Sequence, residues 1–214
     1  MEAVLDIKKT VTNLPCEKII LHGISWQTYE NLLADNADNP TVRLFYDDGN
    51  LEIMTESFKH GKYSRQIEQI IHAIADELEI DFISAGGTTF KKSKSKKGFE
   101  GDGSFYFKNA DNVRGKNEID LNFDAPPELV IEVDITNPSL PKFPIFASLG
   151  IEEVWRFDGL DVLFYRLQNN EYVEVSESVC LPKVKSKIVT NLLESSFEMK
   201  RLDWLKLIRQ SVVK

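Results

Sequence analysis

PPELVIEVDITNPSLPK, residues 126–142, is the stretch from which the rest of the chain can be read. As a strand it places Leu129, Ile131, Val133 and Ile135 on one face and Val130, Glu132 and Asp134 on the other, because strand side chains alternate with a period of two. Two acids then point the same way from an otherwise apolar strand. An ionised carboxylate buried without a partner is costly, so the pair requires a cation, a hydrogen-bond network or water. A divalent metal would meet that requirement. So would a sheet with one wet face, common in antiparallel sheets, and the strand alone leaves both readings open.

Just downstream, Ile145, Phe146 and Leu149 follow Lys142 at three, four and seven residues, so in a helix that includes it the lysine shares their inward face. Pro144 is tolerated in a first helical turn, which puts Lys142 at or just before the helix start, and Gly150 ends the helix. Upstream, Asp102 stands between Gly101 and Gly103 and precedes an alternating strand, Ser104 to Lys108. Flanking glycines let other groups approach a carboxylate closely, and a turn-forming Asp has the same look. Before it, Lys91, Lys92, Lys94, Lys96 and Lys97 put five cations in seven residues. They form a local basic patch that serves solubility as a flexible loop or, near a site, contacts an anionic ligand.

From His60 to Glu79 the apolar residues Tyr63, Ile67, Ile70, Ile71, Ile74 and Leu78 recur at helical spacing, predicting a helix packed on a sheet. Glu68 flanks this stripe and is expected to face water, with a site at the sheet edge as the alternative. His60 opens the helix and His72 lies on its polar side. Nearer the N-terminus, Ser25 reads as an N-cap for a short helix from Trp26 to Leu33. VRLFYDDGNLEIM reads as a hairpin turning at Asp47 to Asn50, with Glu52 expected at the surface. DFISAGGTTFKK is a strand interrupted by Gly86 and Gly87. EVWRF and LDVLFYRL, joined by Asp158 and Gly159, form another hairpin, and EYVEV a further strand. The tail from Lys187 has a helical pattern and suits a cover or a dimer element.

The chain of 214 residues suits one domain, 1–214, with an N-terminal arm over 1–22 and a C-terminal helical extension over 187–214. An apolar share of 42 % and a charged share of 28 % are those of an ordinary globular protein able to bury a core. The net charge of −8 counts against nucleic-acid binding by the protein as a whole, since phosphate contacts need clustered Lys and Arg. The lysine run is the local exception. Cys16 and Cys180 have no neighbours at metal-ligand spacing, which argues against zinc and suits reduced thiols. With neither a long apolar run nor a basic-then-apolar leader, the expected location is the cytoplasm, off the membrane.

Taken in order, HGISWQTYENLLAD, RLFYDDGNLEIM, His60, GGTTFKK, GFEGD with FYF, IDL, PPELVIEVDIT, Lys142, GIEEVWRFDG and FYRL resemble the consecutive blocks of the Uma2 family, a cyanobacteria-rich group of endonuclease-like proteins with a variant PD-(D/E)xK core. The resemblance implies an α/β, restriction endonuclease-like fold: a central mixed sheet flanked by helices, here with an N-terminal helix and hairpin and a C-terminal helical extension. It implies that Asp102 and Glu132 hold Mg²⁺ or Mn²⁺. Asp134 stands where the superfamily's lysine usually is, the lysine is displaced to Lys142, and Glu68 is a further candidate ligand. It also implies a nucleic acid, DNA first, as substrate, and a homodimer. Two departures are Gly101, which replaces the proline of PD, and Gly61, which follows His60 where the family usually has a glutamate.

The chemistry agrees with that set. Cleaving a phosphodiester needs an acidified water and stabilisation of charge on the phosphoryl oxygens, which a divalent ion on carboxylates supplies. Hard oxygen ligands suit Mg²⁺ or Mn²⁺. Lys142 would orient the water, and Lys91 to Lys97 would meet backbone phosphates. The rival class is a non-catalytic interaction protein on a nuclease scaffold, since fold does not fix function. RNA in place of DNA is not separable by sequence pattern.

Overall fold

The computed structural model describes residues 18–37, 42–135 and 140–212. The strand PPELVIEVD becomes β8 (Leu129–Val133), and all five of its residues are buried. It lies inside a six-stranded sheet of order β11-β10-β9-β8-β7-β4. The others are β4 (Ile83–Ser84), β7 (Gly103–Tyr106), β9 (Glu153–Phe157), β10 (Val162–Gln168) and β11 (Glu171–Val175). The β8–β9 pair is parallel and the other pairs are antiparallel, so the sheet is mixed as expected. A short helix, α3 (Ala110–Val113), lies between β7 and β8 in sequence; the parallel β8–β9 pair needs a crossover, and α4 (Lys142–Leu149) supplies it.

The alternation along β8 separates two cores. Leu129, Ile131 and Val133 join a cluster with Ile67, Ile70, Ile71 and Ile74 of α2 (Phe58–Glu77). The C-terminal α5 (Ser186–Ser195) and α6 (Arg201–Val212) close the same layer, burying Leu192, Leu193, Trp204 and Ile208 there. The tail is therefore two helices that cover the sheet beside α2. Val130 faces the opposite core with Ile145, Phe146 and Leu149 of α4 and Phe45, Phe90 and Phe99 of a second sheet. Glu132 thus points away from α2, on the side expected from the alternation.

The second sheet has five strands in the order β1-β3-β2-β6-β5, all antiparallel. It comprises β1 (Lys18–Leu21), β2 (Val42–Asp47), β3 (Asn50–Thr55), β5 (Thr89–Lys92) and β6 (Lys97–Glu100), with α1 (Trp26–Asp35) against it. The expected hairpin is β2–β3, turning through Asp48 at φ 39° and Gly49 at φ 96°, conformations that Asp and Gly tolerate. Ser25 caps α1 by accepting from the Thr28 N–H. Most of the N-terminal arm, residues 1–17, lies outside the described residues; 18–21 form β1 on β3.

Three expectations need correction. DFISAGGTTFKK is two strands in different sheets, β4 and β5, because the Gly86–Gly87 turn carries the chain from one sheet to the other. The lysine run is no flexible loop: Lys91 and Lys92 end β5, Lys97 begins β6, and only the tip between them turns. Glu52 is fully buried, because the segment leading into α4 lies over its face of β3 and gives it the Leu140 N–H.

Candidate active site

The site is where the chain crosses between sheets. Gly101 and Asp102 link β6 of one sheet to β7 of the other, and β7 runs antiparallel to β8 with Gly103 opposite Ile131. Continuing that register brings Asp102 opposite Glu132 on the same face. The Asp102 N–H donates to the Ile131 carbonyl at 3.2 Å, and its Oδ2 accepts from the Val133 N–H at 2.7 Å. The Val133 carbonyl in turn accepts from His60 Nε2 at 2.9 Å. Both backbone groups at the end of β8 are therefore satisfied by side chains of the site, so strand and site are one hydrogen-bonded unit.

Asp102 and Glu132 are each 3 % exposed. Glu132 Oε1 accepts from Lys142 Nζ, while its Oε2 and the Asp102 Oδ1 have no hydrogen-bond partner among the described residues. Burial, reinforced by the negative charges of Asp102 and Asp134 and opposed by Lys142, pushes the Glu132 carboxyl up to about 7. For Lys142, burial lowers the pKa, but Glu132, Asp102 and Glu52 outweigh it and hold the ammonium above its ordinary range. Lys142 is the first residue of α4 and sits over the Phe45 ring, 3.9 Å from its centroid. Pro144, in the first turn, costs the helix nothing.

The remaining expected residues are distributed around this centre. Asp134 follows β8, bonds Arg156 at 2.7 Å and lies 3.9 Å from Lys18. It shares a cavity of about 320 Å³ with Glu132, Leu140, Pro141, Lys142, Phe143 and Arg156. Glu68 is buried, correcting its expected exposure; it pairs with Arg65 at 2.9 Å. Its Oε1 would lie 3.0 Å from a Cβ placed on Gly103, so Glu68 backs the site from the α2 side and is drawn inward by the glycine's missing side chain. Lys91 pairs with Glu30 at 2.8 Å and Lys97 with Asp47. Lys92, Lys94 and Lys96 make no ion pair with the described residues, so three of the five cations keep a free charge.

Two participants were not legible as such. Glu52 comes from β3, its Oε2 accepting the Leu140 N–H at 2.6 Å and its Oε1 without a hydrogen-bond partner among the described residues. It ties the approach to α4 onto the second sheet. Glu56 lies just past β3, bonded to Arg43 at 2.7 Å and 3.2 Å, and groups with His60 and Asp102: one ligand atom from each lies within 4.8 Å of the others. Asp102 belongs both to this group and to the Glu132 face. The helical pattern flagged His60, but no spacing signal connects positions 52, 56, 102 and 132, which only the crossing of two sheets brings together.

A test for a metal is whether the buried oxygens lack other partners. Glu128 and Glu153 are equally buried yet saturated: Glu128 accepts from Phe107 N–H and from both nitrogens of Asn109, Glu153 from Ser178, Val179, Cys180 and Trp155. Asp102, Glu132 and Glu52 each keep an unpartnered oxygen. Buried acceptors are normally satisfied, so the free oxygens of Asp102 and Glu132, facing each other across β7 and β8, fit a cation that the described residues do not themselves supply.

No curated protein matches the chain. Solved structures that resemble it include one described as a "putative nuclease belonging to DUF820" from Anabaena variabilis ATCC 29413, at 17 % identity and a TM-score of 0.49, covering 70 % of this chain and 90 % of that one. The model of the Uma2 family, described as "Putative restriction endonuclease", matches residues 26–201, and the chain therefore belongs to the Uma2 family.

Proposed function

We propose that the protein is a metal-dependent nuclease that hydrolyses phosphodiester bonds in DNA. The observation that carries this reading is the pair of buried carboxylates, Asp102 just before β7 and Glu132 on β8, each with one oxygen that no donor among the described residues reaches, beside the buried ammonium of Lys142. Asp102 and Glu132 would hold Mg²⁺ or Mn²⁺, with Asp134 and Glu68 as outer candidates. A divalent ion so held supplies an acidified water and neutralises charge on the phosphoryl oxygens. Lys142, held protonated, faces the same cavity and orients the attacking water or meets the developing charge. Arg156, engaged with Asp134, presents a second cation at the cavity wall. Lys92, Lys94 and Lys96 at the hairpin tip offer charges for the flanking phosphates. The same reading takes the protein to act in the cytoplasm as a homodimer, which would let two sites cut two strands.

Purified protein incubated with plasmid, single-stranded DNA and RNA, in Mg²⁺, Mn²⁺ or chelator, tests the proposal. Cleavage of DNA that needs the ion is expected, and Asp102→Ala or Glu132→Ala should lower it by ~100-fold or more with folding retained. Equal cleavage by those variants would overturn the assignment.

A further inference from the structure

The ligands named above are all oxygens, but the Asp102 carboxylate also borders a nitrogen. His60 is 1 % exposed, and its Nε2 lies 2.9 Å from the Val133 carbonyl and 3.4 Å from Asp102 Oδ2. A carbonyl oxygen only accepts, so Nε2 carries the hydrogen, and Nδ1 of the neutral ring keeps its lone pair. That Nδ1 is buried and has no hydrogen-bond partner among the described residues. The unpartnered Asp102 Oδ1 is the second such atom of the group. Glu56 gives one oxygen to Arg43 and has its other oxygen over, and one ligand atom from each of Glu56, His60 and Asp102 lies within 4.8 Å of the other two.

Nothing in the fold requires this imidazole to be left with a free lone pair. A histidine needed only to bond Val133 would have its other nitrogen at solvent or on a donor, as buried polar atoms generally do. Nε2–H on a backbone carbonyl fixes ring and tautomer and leaves the Nδ1 lone pair as the donor the imidazole has to offer. The segment is held by the Ser57 hydroxyl, which accepts the His60 N–H at 3.2 Å, and by Arg43 on Glu56. One nitrogen and two carboxylates are a softer donor set than carboxylates alone. Imidazole favours first-row transition ions, whereas Mg²⁺ favours oxygen and keeps its waters.

We infer that His60, Glu56 and Asp102 form a mixed nitrogen and oxygen metal site, which selects a first-row transition ion over Mg²⁺. Asp102 is common to this site and to the Glu132 face, so the inference rests on the nuclease reading for its purpose but not for its test. The probe is Mn²⁺, titrated calorimetrically against Mg²⁺ on the full, tag-free chain, together with pulsed electron spin resonance of the bound Mn²⁺. Imidazole ¹⁴N modulation is expected in the wild-type spectrum, with Mn²⁺ bound at least tenfold more tightly than Mg²⁺. His60→Gln, whose amide can still donate to the Val133 carbonyl, should abolish the modulation and bring the two affinities to within about threefold. Glu56→Gln should weaken Mn²⁺ and leave the modulation.

Absence of ¹⁴N modulation in the wild type, failure to bind Mn²⁺ at millimolar concentration, or modulation that survives His60→Gln would each overturn the inference. The wild-type spectrum decides even if the His60 variant fails to fold. The two ¹⁴N outcomes leave the nuclease reading untouched; failure to bind Mn²⁺ counts against both, and ion-dependent cleavage by wild type and by the Asp102 and Glu132 variants then decides the nuclease reading separately.

Discussion

Glu132 and Lys142 show how one ion pair can hold a site between two states. Lys142 compensates a single oxygen of Glu132, and burial still raises the carboxyl to about 7, far above the ordinary carboxylate. The folded protein therefore keeps a proton that the unfolded chain releases. Its contribution to stability is fully present below the ordinary carboxylate pKa and is lost as pH rises through about 7. A pH unit is worth about 1.4 kcal/mol, so the loss is on the order of 3 kcal/mol. Urea unfolding of metal-free wild type and Glu132→Gln should show the wild type losing about that much relative to the variant between roughly pH 4.5 and 7.5. A constant difference across this range would mean that Glu132 ionises normally. Lys142→Ala should lower turnover by ~100-fold or more, because a preorganised cation is lost from the cavity. Metal affinity should not fall, since the departing ammonium competes for Glu132. A large drop in Mn²⁺ binding by calorimetry would instead make Lys142 a structural support.

At the scale of elements, the β7–β8 pair is the frame on which the carboxylates are mounted, and at Gly103 the Glu68 side chain of α2 packs against it. A Cβ there would meet Ile131 Cδ1 at 2.9 Å and Glu68 Oε1 at 3.0 Å. Gly103→Ala should therefore cost roughly 1–3 kcal/mol by overpacking, read as a lower urea midpoint, and should displace Glu68. Ile131→Val in the same background would relieve part of the clash and recover part of the loss, which a general backbone effect of alanine would not allow. The other supporting contact is between β3 and the approach to α4. Glu52 lies in a strand two positions from an exposed-looking turn, and the alternating pattern of a hairpin suggests a wet face for it. The fold instead lays α4 and the Lys142 segment over that face, so Glu52 receives the Leu140 N–H and adds its charge to the field at Lys142.

For the whole molecule, the proposed substrate is anionic and the chain carries a net charge of −8, so on that reading the two meet through a limited area. The β5–β6 hairpin concentrates the lysines, and the ion pairs of Lys91 with Glu30 and of Lys97 with Asp47 brace its two strands against α1 and β2. This leaves Lys92, Lys94 and Lys96 for long-range attraction. Replacing these three with Glu should weaken DNA binding and reduce the slope of log K against log salt by about 2–3, with thermal stability unchanged. An unchanged slope would remove the hairpin from the interface. Exposed pairs are worth little in stability, so Lys91→Ala should change the melting behaviour by no more than about 1 kcal/mol.

What the sequence by itself determined is local or periodic. The alternation of PPELVIEVD assigned Glu132 and Asp134 to the face of Val130, the spacing of Ile67 to Ile74 made α2, Pro144 and Gly150 bounded α4, and the flanking glycines marked Asp102 as a place of close approach. Those features depend on a few neighbouring residues, and a period of 2 or 3.6 records them. Tertiary structure alone decided that Glu52 and Glu68 are inside, that the lysine run is a hairpin braced at both strands, and that Glu56 and His60 meet Asp102. Burial of an acid depends on what is laid over its face, and that depends on a second sheet and a crossing between sheets some fifty residues away in sequence. No periodicity carries that information.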